Sequence, residues 1–155
     1  MSSTCRQSGR IAALLVIVLI GIAGCGGSGS STTSSTPSRP LRLYRVRLTG
    51  KAEVPKGAAD GSGDAVIAIH RGSVVCWRFV HLHGFLDATV AQIRVGFAGR
   101  AGRVLQPLST APKLHHRGCI QMSPATVTAI ERDPSRYYVD VHSRLYPGGA
   151  VRGQL

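Results

Sequence analysis

From Leu41 to Leu155, apolar residues recur at every second position in short runs, and glycine or proline separates the runs. Period-two alternation sends successive side chains to opposite faces of a strand, so each run predicts a strand with one buried face. Leu41–Gly50 (LRLYRVRLTG) alternates apolar with basic residues, and its phase slips near Leu43-Tyr44, where a bulge would restore it. Lys51–Gly63 carries Pro55 and three glycines and reads as a connection. Asp64–His70, Val74–His83, Val90–Phe97, Val104–Leu108 and Cys119–Met122 follow as strands, and Ala91, Ile93 and Val95 share one face of the fourth. Ser123-Pro124 has the chemistry of a helix cap and first helical residue, Val127 and Ile130 then lie on one side, and Pro134 stops the helix. In Tyr137–His142, Tyr137, Val139 and Val141 alternate with Tyr138, Asp140 and His142. Pro147-Gly148-Gly149 supplies the reversal into a returning strand that runs to Leu155.

Short strands at near-regular spacing, with turn residues between them, fit an antiparallel sandwich or barrel. The predicted class is all-β: an antiparallel Greek-key or immunoglobulin-like β-sandwich with one short helix before the C-terminal hairpin. A domain over 41–155 is large enough to bury an ordinary core.

The N-terminus follows a different pattern. Arg6 and Arg10 precede the uncharged apolar run Ile11–Gly24. A membrane-spanning helix needs roughly 20 such residues and a signal-peptide core about 7–15, so the run fits a signal. It ends in Ile22-Ala23-Gly24-Cys25, which resembles the bacterial lipobox. That resemblance implies a signal peptide over 1–24, cleavage ahead of Cys25 and acylation of the Cys25 thiol; an ordinary secretory signal or an uncleaved anchor is the alternative. Gly26–Pro40 (GGSGSSTTSSTPSRP) lacks apolar residues to order it, so 25–40 reads as a lipidated cysteine and a Gly/Ser/Thr-rich tether. Such a tether spans on the order of 20 Å. The expected location is outside the cell, held to the extracellular face of the membrane by acyl chains.

Charge narrows the setting. Lys and Arg number 19 against 7 acidic residues, a net +12. This favours anionic surroundings such as phospholipid headgroups or acidic envelope polymers. Nucleic acid is not expected, because aromatics make up 5% of the chain and the core takes several of them. With Cys5 in the signal and Cys25 lipidated, Cys76 and Cys119 remain in an exported domain, where a disulfide is the expected state and two buried thiols the alternative. Closing that loop would stabilise the fold by about 3–4 kcal/mol in the chain-entropy account.

Several segments together resemble the chordin-type (CHRD) domain of bacterial exported proteins. They are Leu48-Thr49-Gly50 with Glu53-Val54-Pro55, Gly61–Gly63, Val75-Cys76-Trp77, Gly118-Cys119-Ile120, and Tyr137–Ser143 continuing through Pro147–Leu155. The resemblance spans 43–155 and implies an extracellular, immunoglobulin-like β-sandwich without an established enzymatic activity. A further likeness, to the Greek-key barrel of copper/zinc superoxide dismutase, rests on a His-x-His strand. Where the CHRD family carries Ala-His-Ile-His on the fourth strand, this chain has Ala91-Gln92-Ile93-Arg94. Both imidazoles are absent, and one is replaced by a cation that repels metal.

His81 and His83, two apart on a strand, share a face, a spacing found in zinc and copper sites. With His142 and one of His115 or His116 they are the candidate metal ligands. No spare cysteine and no neighbouring carboxylate supports them, so no metal or other cofactor is expected. Ser143 follows His142, but adjacent strand residues face opposite sides and no Gly-x-Ser-x-Gly elbow is present. Glu131 and Asp133 lie at a helix end, where solvation accounts for them. Arg152 is placed to pair with Asp140 across the terminal hairpin. The expectation is a non-enzymatic binding or structural role at the cell envelope, with anionic polymers or another surface protein as partner. A copper- or zinc-binding module and a dedicated polyanion binder are the alternatives.

Overall fold

The computed structural model describes residues 39–110 and 112–155. The signal peptide expected over 1–24, Cys25 and the expected tether as far as residue 38 lie outside the described residues. Eight strands form: β1 (Arg42–Thr49), β2 (Ser62–His70), β3 (Val74–His83), β4 (Ala88–Val95), β5 (Val104–Ser109), β6 (Arg117–Gln121), β7 (Tyr137–Ser143) and β8 (Val151–Gln154). One helix, α1 (Pro124–Arg132), links β6 to β7. No described helix is long and apolar enough to cross a membrane.

All eight strands belong to one antiparallel sheet in the order β5-β4-β7-β8-β1-β2-β3-β6. Alternation fixes which face of each strand is buried, but not which strands share hydrogen bonds, so the sequence pattern left sandwich and barrel alike possible. The sheet curls until its two ends approach. Ser109 Oγ at the end of β5 accepts from His115 N at 2.7 Å, and Phe79 N of β3 donates to His116 O at 2.7 Å. Leu114 drops into the core between them, and its N–H reaches Ala88 O. The result is a nearly closed barrel. Val46, Leu48, Ile67, Trp77, Ile93 and Val141 lie in its single core. Val127 and Ile130 of α1 join that core, and the Ser123 hydroxyl caps the helix by accepting from Thr126 N.

Two local expectations change. No bulge interrupts β1: it pairs with β2 without a break from Arg42–Ile69 to Thr49–Ser62, leaving Leu43 on the outer face with Arg45 and Arg47. Register shifts fall elsewhere: in β3, where His81 takes φ +53°, and in the pairings of β4 with β5 and β7. The terminal reversal is also wider than the Pro-Gly-Gly step, running over 144–150, and only Gly149 of the two glycines has a positive φ.

Cys76 and Cys119 are bonded, with S–S 2.09 Å. They are direct partners on neighbouring strands, β3 and β6, and both point outward. The bridge therefore pins an edge strand to its neighbour within one sheet, rather than tying two sheets of a sandwich together.

Candidate functional site

β7 carries the largest departure from simple alternation. Val139 and Val141 face the core, so Tyr138, Asp140 and His142 face outward, yet they are 1%, 0% and 8% exposed. Two connections fold back over them. One follows β1 and brings Glu53; the other, Gly96–Arg103, joins β4 to β5.

Register builds the cluster beneath these loops. Gln92 of β4, Asp140 of β7 and Arg152 of β8 lie in one cross-strand row, with Arg94, Tyr138 and Gln154 in the next. Arg94 Nη1 sits 3.3 Å from Asp140 Oδ2, and its Nε donates to Gly102 O at 2.9 Å. Arg152 faces Asp140 in register, as expected, but pairs elsewhere. Its guanidinium stacks 3.3 Å from the centre of the Tyr138 ring and donates to Arg100 O and Phe97 O, each at 2.8 Å. The expected Asp140–Arg152 pair is thus replaced by Asp140–Arg94, because the loop carbonyls take both ends of the Arg152 fork. Tyr138 Oη accepts from Gly102 N, and Gln154 Nε2 donates to Gly96 O, so four side chains hold one loop.

His142 is fixed from both sides. Its Nδ1 donates to Pro147 O at 2.8 Å, and Nε2 lies 3.2 Å from Asp140 Oδ2 without the alignment of a hydrogen bond. Burial disfavours the imidazolium, but the Asp140 contact and charge, with the Pro147 carbonyl, outweigh it and raise the pKa above the ordinary histidine value. Glu53 accepts from Val54 N through Oε1. Burial pushes its carboxyl upward and the Asp140 charge adds to that, against the Val54 N–H, Arg152 and His142. Glu53 fits only because residue 149 is glycine: a Cβ there would lie 2.4 Å from Glu53 Oε2.

Four buried side-chain atoms among the described residues lack a hydrogen-bond partner: Glu53 Oε2, Gln92 Oε1, Asp140 Oδ1 and His142 Nε2. All belong to this cluster. Three are oxygen acceptors, and the fourth is the imidazole lone pair left when Nδ1 carries the proton. The cluster is short of donors, and uptake of protons supplies them.

The histidines named from sequence do not come together. His81 Nδ1 pairs with Asp64 Oδ2 at 3.1 Å, and Asp64 also binds Arg47 Nη1 at 3.1 Å. The contacts from His81 and Arg47 hold the Asp64 carboxyl below its ordinary pKa. His83 Nε2 contacts Ser62 Oγ at 2.9 Å. The expectation of no carboxylate beside the pair is therefore corrected: Asp64 arrives from β2, a neighbour that strand pairing supplies and linear spacing does not. His142 sits on β7, four places from β3 in the sheet order. His115 and His116 lend their backbone carbonyls to Trp77 Nε1 and Phe79 N. Among the described residues no group of three His, Cys, Asp or Glu is placed to hold a metal ion. At Asp140 and His142 the Arg94 guanidinium already faces the carboxylate, and a metal bound there would be forced against that charge. These residues do not fit a metal.

Sequence reasoning missed Glu53, Gln92 and the pairing of Arg94. The available signal was the hairpin itself, which sets Asp140 opposite Arg152 with Tyr138 beside them. Ser143 Oγ accepts from Tyr146 N inside the reversal, on the opposite side of β7 from His142.

Comparison with protein families matches residues 44–155 to the CHRD domain. No curated protein and no solved structure matches the chain. Because the match takes in every strand of the barrel, the chain belongs to the CHRD domain family.

Proposed function

We propose that this chain is an exported lipoprotein, held to the extracellular face of the membrane through Cys25, whose CHRD domain serves as a non-enzymatic binding or structural module. The observation that carries the reading is how the buried charges are used. Arg94, Arg152, His142 and Tyr138 all hydrogen-bond backbone groups, those of the Gly96–Arg103 loop and of the terminal reversal. The polar cluster braces loops on the barrel, which leaves the outer surface as the part that meets a partner.

The strand order supports a Greek-key reading of the barrel. The β3-to-β4 and β6-to-β7 connections each pass over two strands, both across the gap between β5 and β6. The lipobox-like Ile22–Cys25 and the Ser/Thr-rich stretch after it support anchoring.

Fractionation tests the anchor. Cys25→Ser should move the full chain from the membrane pellet to the soluble exported fraction and abolish labelling by a fatty-acid analogue. Retention in the pellet without Cys25 counts against lipid attachment. Elemental analysis of the purified chain should show no stoichiometric copper or zinc, and one equivalent would restore the metal-binding alternative.

A further inference from the structure

The outer face of β1, β2, β3 and β6 carries an arrangement that folding alone opposes. Arg45 pairs with Val66, Val66 with Arg78, and Arg78 with Arg117, so three arginines stand in one row across four strands. All three are exposed. Arg78 and Arg117 are direct partners in an antiparallel pair, where side chains approach most closely and like charges destabilise the sheet. No carboxylate among the described residues lies within ion-pair distance of Arg45, Arg78 or Arg117. The one acid on this face, Asp64, is taken by Arg47 and His81. Two residues further along the same strands, and on the same face, the Cys76–Cys119 bridge locks β3 to β6 beside the opposed arginines.

A shallow groove of about 460 Å³ runs along this face; Arg45, Arg78 and Val66 line it together with the Arg47–Asp64–His81 cluster. With strands about 4.8 Å apart, Arg78 and Arg117 are one spacing from each other, Arg45 is two further on, and the row spans about 14 Å. Guanidinium forks bind phosphate oxygens in pairs, so two forks on neighbouring strands can hold one phosphate between them. No aromatic ring stands in the row to stack a base, because Trp77 and Phe79 point into the core. That separates this face from a nucleic-acid surface.

We propose that the row Arg45, Arg78 and Arg117 is a docking face for a linear phosphodiester polymer of the cell envelope. Arg78 and Arg117 clamp one phosphate, and Arg45 takes a later one on the same polymer. This deepens the binding role proposed above and rests on it.

The test uses the full chain in detergent, passed over immobilised poly(glycerol phosphate), with titration of the free oligomer. Binding should weaken steeply as salt rises. Arg78→Ala with Arg117→Ala should lower affinity at least tenfold, whereas Arg71→Ala with Arg132→Ala, the same loss of charge at exposed sites off the face, should change it less than twofold. The melting temperature of Arg78→Ala with Arg117→Ala should stay level or rise, since opposed charges are gone. If that pair unfolds, Arg78→Lys with Arg117→Lys keeps the charge and loses the forks, and a severalfold weaker complex is expected. Equal losses in the two alanine pairs, no binding by the unaltered chain, or equally tight binding of duplex DNA would overturn the proposal. The anchor is read separately: if Cys25→Ser still frees the protein while the arginine pairs change nothing, only the docking face is lost.

Discussion

Glu53 and His142 illustrate how single side chains tie stability to pH. Each has a folded-state pKa raised above its ordinary value, 4.5 for Glu53 and 6.5 for His142. Their protonated forms therefore favour the fold: the contribution is complete below those ordinary values and is lost as pH rises through the raised ones. Asp64, with its pKa lowered, acts in the opposite sense, losing its contribution as pH falls below 3.8. The melting temperature should consequently fall as pH rises above 4.5, and further above 6.5. Glu53→Gln should flatten the lower part of that slope and raise stability at neutral pH, measured by denaturant titration. A mutant curve parallel to that of the parent would place the pH dependence elsewhere. A second residue-level test contrasts neighbours. Gly149→Ala should cost about 1–3 kcal/mol, because φ is +133° and the added carbon meets Glu53, whereas Gly148→Ala, with nothing within 4 Å, should stay within about 0.5 kcal/mol.

For the individual elements, much could be read in advance. Val127 and Ile130 announced the buried side of α1, Ser123 its cap, and the inward sets of β2, β3 and β7 followed their alternation. What alternation could not show was a strand buried on both faces. Tyr138, Asp140 and His142 look solvated along the chain, and only the return of two distant loops takes them out of water. The Cys76–Cys119 pairing was similarly legible from counting cysteines, but not its place within one sheet, which depends on β6 lying beside β3. Replacing both cysteines by serine should cost about 3–4 kcal/mol if loop closure dominates. Amide exchange should then quicken in β6 first, with β1 and β2 little affected.

Taken whole, the molecule separates its two polar regions. Buried charges on β4, β7 and β8 hold loops in place, while exposed charges on β1, β3 and β6 stand largely without acidic partners. The net charge of the sequence, +12, suggests an anionic setting but could not order the arginines, since only strand pairing puts Arg45, Arg78 and Arg117 in line. The barrel also closes unevenly. β5 and β6 form the two ends of the hydrogen-bonded order, bridged by Ser109, Leu114 and His116 rather than by a ladder. Under native conditions, hydrogen exchange should be fastest in these two strands and slowest in β1, β2 and β7. Uniform protection around the barrel would argue against such a weak line.

That join has a consequence for how the protein ages. A barrel that parts along a single seam gapes like a split ring: Leu108, Leu114 and Trp77 meet water while the remaining wall stays intact. The sulfur clasp sits on one lip of the split, so an oxidising milieu keeps that lip straight and a reducing one lets it curl away.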